Sequence, residues 1–136
     1  MSMNILTRFD IFAYAKAQFG EVPVYLWAKT PEAAVLRHEG SRKWYALVMP
    51  VERSRLGLDG AGTVDILNLK CDPLLIGVLR THAGFLPAYH MNKEHWITLL
   101  LDGSVEREEG LQLLEMSYSL TLPKVRKQNK LRRKTL

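Results

Sequence analysis

Ile66-Leu67-Asn68-Leu69-Lys70-Cys71-Asp72-Pro73 passes within eight residues from a strand to the start of a helix. Thr63 to Lys70 alternates Val64, Ile66, Asn68 and Lys70 with Leu67 and Leu69, so either face of this strand can be buried at its middle. Asp72 then offers a carboxylate to the free amides of a first helical turn, and Pro73 stands where a missing N–H costs nothing. The helix is predicted to carry Leu75, Ile76, Leu79 and Val78 on its apolar side and to close at Gly84. A polar and aromatic connector follows, Pro87-Ala88-Tyr89-His90-Met91-Asn92-Lys93-Glu94. His95 to Leu101 then reads as a strand apolar enough to need cover on both faces, with Trp96 in the core.

Upstream, Asn4 to Phe19 predicts a helix with Leu6, Phe9, Phe12, Ala13, Lys16 and Phe19 along one side and Gly20 as its stop. Glu21 to Lys29 reads as an extended lead-in or edge strand, since Pro23 cannot donate to a central ladder. Ala33 to Glu39 and Lys43 to Met49 form a predicted hairpin through Gly40-Ser41-Arg42, and Val51 to Gly62 is a charged connection. Downstream, Ser104 is the expected cap of a last helix with Leu111, Leu114 and Tyr118 in a stripe joined by Leu113 and Leu120, ended by Pro123. Helix, three or four strands, helix, strand, helix makes an α+β domain: a mainly antiparallel sheet packed by helices. One such domain is expected over residues 1–122, followed by a basic tail over 123–136.

The charge is unevenly placed. Lys124, Arg126, Lys127, Lys130, Arg132, Arg133 and Lys134 lie in the tail with no acid among them. Removing these seven from the 19 basic residues leaves 12 against 14 acids, so residues 1–123 carry −2 although the chain carries +5. The tail alone suits DNA or another polyanion, bound nonspecifically and with steep salt dependence. A single cysteine, Cys71, rules out an internal disulfide and suits a reducing cytoplasm; it is expected to be a buried residue rather than a nucleophile. Arg8 and Asp10 interrupt the apolar N-terminal stretch, which argues against a secretory signal, and no apolar run is long enough to span a membrane.

Asn68-Leu69-Lys70-Cys71-Asp72-Pro73, Gly84, Pro87, Tyr89-His90-Met91-Asn92-Lys93 with His95-Trp96, Leu101-Asp102-Gly103 and Ser117-Tyr118 together resemble the MmcQ/YjbR family over about residues 5–121. The resemblance implies a CyaY-like or secretion-chaperone-like α+β fold and a cytoplasmic bacterial protein assigned to DNA binding, with no catalytic set and no cofactor. The connection Val51 to Gly62 is longer than in the shortest members, and the tail lies outside the family domain.

The residues themselves offer a candidate nucleic-acid surface: Lys70, Tyr89, His90, Asn92, Lys93 and His95, with Arg42 and Lys43 at the hairpin tip. Lysine and charged histidine meet phosphate, asparagine meets phosphate or an adenine edge, and aromatic rings stack on exposed bases. Each has a plainer structural use: Asn92 fixing a turn, His90 satisfying loop backbone, Arg42 and Lys43 solvating a hairpin tip. Of the four histidines only His90 and His95 are close in sequence, and no cysteine pair joins them, so no metal site is expected. No phosphate loop, nucleophile elbow or carboxylate pair is present, and neither enzyme activity nor a cofactor is expected. A protein-interaction module, with no nucleic-acid role for the folded body, is the alternative. A ligand site centred on His90, Asn92 and His95 ranks third.

Overall fold

The computed structural model describes residues 5–123. Thr7 starts the first helix, α1 (Arg8–Phe19): its hydroxyl accepts from the Asp10 amide while Asp10 accepts from the Thr7 amide, a reciprocal capping box. That cap sets the start at Arg8 rather than Asn4. Gly20, at φ 72°, ends the helix as the sequence predicts. The buried side of α1 is Ile11 and Ala15, flanked by half-buried Phe12 and Phe19. Phe9, Ala13 and Lys16 are exposed, because the true face lies one position from the expected stripe.

Five strands follow: β1 (Ala34–Arg37), β2 (Trp44–Glu52), β3 (Thr63–Lys70), β4 (Phe85–Pro87) and β5 (Trp96–Leu100). They form one antiparallel sheet in the order β1-β2-β3-β5-β4. The lead-in after α1 pairs with this sheet at one bridge, Val24 to Val35. In the β1–β2 hairpin the left-handed residue is Arg42, at φ 64°, not Gly40. The Ser41 hydroxyl accepts the Lys43 amide at 3.2 Å and holds that turn. β2 runs through Val51 and Glu52, which the sequence assigns to the connection, because Val51 pairs with Val64 and Glu52 with Thr63.

Helix α2 (Pro73–Leu79) starts as predicted, with Asp72 accepting the Leu74 amide at 2.8 Å. It stops at Leu79, well before Gly84, and Val78 is exposed rather than apolar-facing. Gly84 instead takes φ 90° in the turn into β4, pressed against Ser104 and Val105. Helix α3 (Arg107–Thr121) is entered from Glu106 without a side-chain cap; Ser104 bonds Asp102 instead. Gly110, Leu113, Leu114, Ser117 and Thr121 form its buried face, and Leu120 is exposed.

The helices cover one face of the sheet. Leu36, Val48, Leu67, Leu69, Ile97 and Leu99 meet Ile11, Ala15, Leu113 and Leu114 there, with Ile76 and Leu79 from α2 and the buried Cys71. Burial pushes the Cys71 thiol up in pKa, which leaves it protonated and inert. Phe19 stacks on Tyr118 at 3.8 Å, and Tyr45 meets both rings edge-on. Arg8 ties α1 to β3 through a two-pronged pair with Asp65 at 2.8 and 2.9 Å, and its third nitrogen donates to the Glu32 carbonyl. Ser117 joins α3 to the sheet, donating to the Tyr45 carbonyl at 2.6 Å and accepting the Lys70 amide at 2.9 Å.

The question left open by the β3 pattern is answered on both sides. Leu67 and Leu69 face the helices, while Val64 and Ile66 join Val51 and Leu100 in a second cluster on the opposite face, under Met49, Leu56, Leu58, Leu86 and Tyr89.

Candidate functional site

On that opposite face the cover is incomplete. Leu56 and Leu58 from the β2–β3 connection cover part of it, and the connector after β4 covers another part. Asn68 and Thr98 sit opposite each other at its centre, both fully buried. The Thr98 hydroxyl donates to Asn68 Oδ1 and accepts the Tyr89 amide at 2.8 Å, while Asn68 Nδ2 donates to the Tyr89 carbonyl at 2.9 Å. Both backbone groups of Tyr89 are thus fixed by the sheet. A polar pair so buried is tolerated only when its hydrogen bonds are made, and here the connector supplies the missing partners.

Anchored this way, the Tyr89 and His90 rings stack at 4.0 Å and 12°. His90 is exposed and takes φ 59°. Asn92 is spent on the turn, as its plainer reading requires: its Oδ1 accepts the Glu94 amide at 2.8 Å and the His95 amide at 3.2 Å. Lys93 and His95 are exposed on the same connector.

Tyr89, His90 and Met91 form one wall of an open groove of about 660 Å³. Leu47, Met49 and Val51 of β2 line its floor, and Trp27 and Trp44, packed edge-to-face at 5.7 Å, form the other wall. Arg55 and Glu52 stand at one end, 3.7 Å apart. The Arg55 guanidinium lies beside the Tyr89 phenol, which together with Glu52 holds its pKa up. Trp44 also borders a second, smaller depression of about 340 Å³ at the end of the sheet, shared with Lys43, Lys70, Trp96, Leu120 and Thr121. Trp96, expected in the core, is half-buried there because it pairs with Lys70 at the last rung of the β3–β5 ladder.

Of the candidate surface residues, Tyr89 and His90 meet at the groove, and Lys43 and Lys70 meet at the end depression. Arg42, Lys93 and His95 are exposed but line neither hollow, and Asn92 is occupied by its own turn. The tail cations, Lys124 to Lys134, lie outside the described residues. Sequence reading missed Trp27 and Trp44 as site residues; Arg55 is legible there only as a cation of the loop after the hairpin. All three tryptophans of the chain, Trp27, Trp44 and Trp96, line the two hollows.

Fold and groove together define a small α+β domain built on one antiparallel sheet, helix-covered on one face and bearing an aromatic-walled cleft on the other. Residues 17–120 match the family model YjbR, and the chain belongs to that family. It is similar to Bacillus subtilis YyaQ, an uncharacterised protein, at 48% identity over 117 residues, covering 86% of this chain and 99% of YyaQ. Escherichia coli YjbR, also uncharacterised, is 40% identical over 53 residues, 38% of this chain and 45% of that protein. A crystal structure of a Pseudomonas syringae protein superposes with a TM-score of 0.83 at 43% identity, covering 85% of this chain and 99% of that one. A Deinococcus radiodurans protein with a DUF419 domain gives a TM-score of 0.68 at 28% identity, over 88% of this chain and 81% of its own. No helix among the described residues is long and apolar enough to cross a membrane.

Proposed function

We propose that the chain is a non-catalytic nucleic-acid-binding protein, and that its folded body binds through the sheet face opposite the helices and the adjoining sheet end where α3 finishes. One observation carries the reading: two adjoining hollows share Trp44 and are bordered by Lys43, Lys70 and Arg55, with Glu52 the single acid lining either. Aromatic rings interleaved with cations are what a polyanion bearing flat, stackable bases requires. The charge of −2 over residues 1–123 does not oppose this, because Glu108, Glu109 and Glu115 of α3 line neither hollow. The tail adds seven cations as a sequence-independent supplement.

A salt titration of DNA binding tests it, run on the full chain and on a chain ended at Pro123. The shortened chain is expected to bind more weakly and with a shallower salt slope, and Lys43→Gln with Lys70→Gln to weaken it further. Absence of binding by the shortened chain at low salt would assign all affinity to the tail and end the reading. A protein partner is the second reading, carried by the exposed Val22, Tyr25, Leu26 and Trp27 beside the β1 edge. Sedimentation of the full chain as a monomer at micromolar concentration, with no change on truncation, would count against self-association through that patch.

A further inference from the structure

We infer that this face recognises nucleic acid as an unpaired strand, with bases stacked on the tryptophans and on the Tyr89–His90 pair; the inference rests on the nucleic-acid reading above. In a duplex the flat faces of the bases are stacked on one another, leaving base edges and phosphates for a partner to touch. The groove is concave, floored by Leu47, Met49 and Val51 and walled by rings, so its apolar chemistry fits a base face and not a phosphate ridge. The His90 ring has one face on Tyr89 at 4.0 Å, and its residue is exposed, which leaves the other face free to take a base.

Charge follows the same line. Arg55 stands at the groove end and Lys43 and Lys70 at the end depression, so cations flank the aromatic track on both sides.

The tryptophans make the test direct, since all three lie on the track. Tryptophan emission is followed while the full chain and the chain ended at Pro123 are titrated at low salt with deoxythymidine and uridine single strands and a DNA duplex, each of about twelve nucleotides or base pairs, within the usual site size of such surfaces. Both chains are expected to show saturable quenching by single strands and to bind them at least about tenfold more tightly than duplex. Comparison of the two single strands tells DNA from RNA preference. Trp27→Ala, at a residue 38% exposed, is expected to weaken single-strand binding about fivefold or more, with Trp27→Phe near the parent. Thermal melts confirm that these variants are folded. Equal binding of duplex and single strand by the shortened chain, without quenching, overturns the inference while the nucleic-acid reading stands. Loss of all binding by the shortened chain overturns both.

Discussion

Replacing Thr98 by valine tests the feature that sets the groove's shape. The substitution keeps the branched outline and removes one hydroxyl, which donates to Asn68 Oδ1 and accepts the Tyr89 amide at 2.8 Å. Two groups lose their partner, Asn68 being fully buried and Tyr89 half-buried. An unpaired buried polar group costs about 1–3 kcal/mol, and the extra apolar surface of valine returns a fraction of one, so the net loss is about 2–4 kcal/mol. For a domain of this size that lowers Tm by about 6–15 °C. Thr98→Ser keeps the hydroxyl and loses a methyl, with an expected loss of about 1 kcal/mol. Urea unfolding of the parent and both variants gives the stabilities, and amide exchange at Tyr89 reports whether the connector has lifted from the sheet. A valine variant no less stable than the serine variant, with Tyr89 still protected, would refute the role given to Thr98.

Ser117→Ala removes the group that satisfies both the Tyr45 carbonyl and the Lys70 amide, with an expected loss of about 2–4 kcal/mol in urea unfolding. Gly84→Ala places a Cβ 2.5 Å from Val105 Cγ2 at φ 90°, so backbone and packing costs combine to about 2–5 kcal/mol; Gly77→Ala, on open helix surface, raises stability by about 0.5–1 kcal/mol, and paired thermal melts decide both. His38 bonds Thr121 Oγ1 at 2.8 Å, and that hydroxyl donates to the Ser117 carbonyl, so His38 is the donor to it. Burial lowers the His38 pKa, with Glu21 opposing in part. The unfolded chain therefore binds a proton more readily: His38 costs the fold nothing above about pH 6.5, and stability falls below it, by at most about 1.4 kcal/mol per pH unit, until the lower folded value is passed. Urea midpoints between neutral and mildly acidic pH should lose this component in His38→Gln, and an unchanged slope would reject it.

Much of the fold is legible where the signal is local. The Asp72-Pro73 start of α2 and the span of β3 need only their own residues to be read. β4 escapes because three residues, one of them Pro87, carry no measurable alternation; only pairing with β5, Phe85 opposite Leu99, makes them a strand. The expected α2 runs too long because Gly84 has the left-handed conformation of a helix stop but uses it in a turn packed on Val105. The site divides in the same way. Asn92 closing its own turn is a local event. Trp27 and Trp44, 17 residues apart, meet through two pairings, Val24 with Val35 and Arg37 with Trp44, which no single stretch of sequence encodes. Arg55 reads as one charge in a charged connection until the chain returns it to the Tyr89 ring.

The buried polar pair beneath that connector favours a working role for this face over simple cover. Asn68 and Thr98 occupy the centre of an otherwise apolar surface, where two apolar residues of similar shape would fill the same space but leave both backbone groups of Tyr89 without partners. What they add is direction: three hydrogen bonds converge on the pair and on the backbone of Tyr89, fixing that residue at one height and one orientation over the sheet. Apolar replacements would bury the connector equally well while allowing it to slide, and the stacked rings at its tip would slide with it. A groove whose one wall is pinned in this manner, and whose other wall is two tryptophans packed edge-to-face, has its shape set by the chain's own contacts, which is the preorganisation the proposed binding requires.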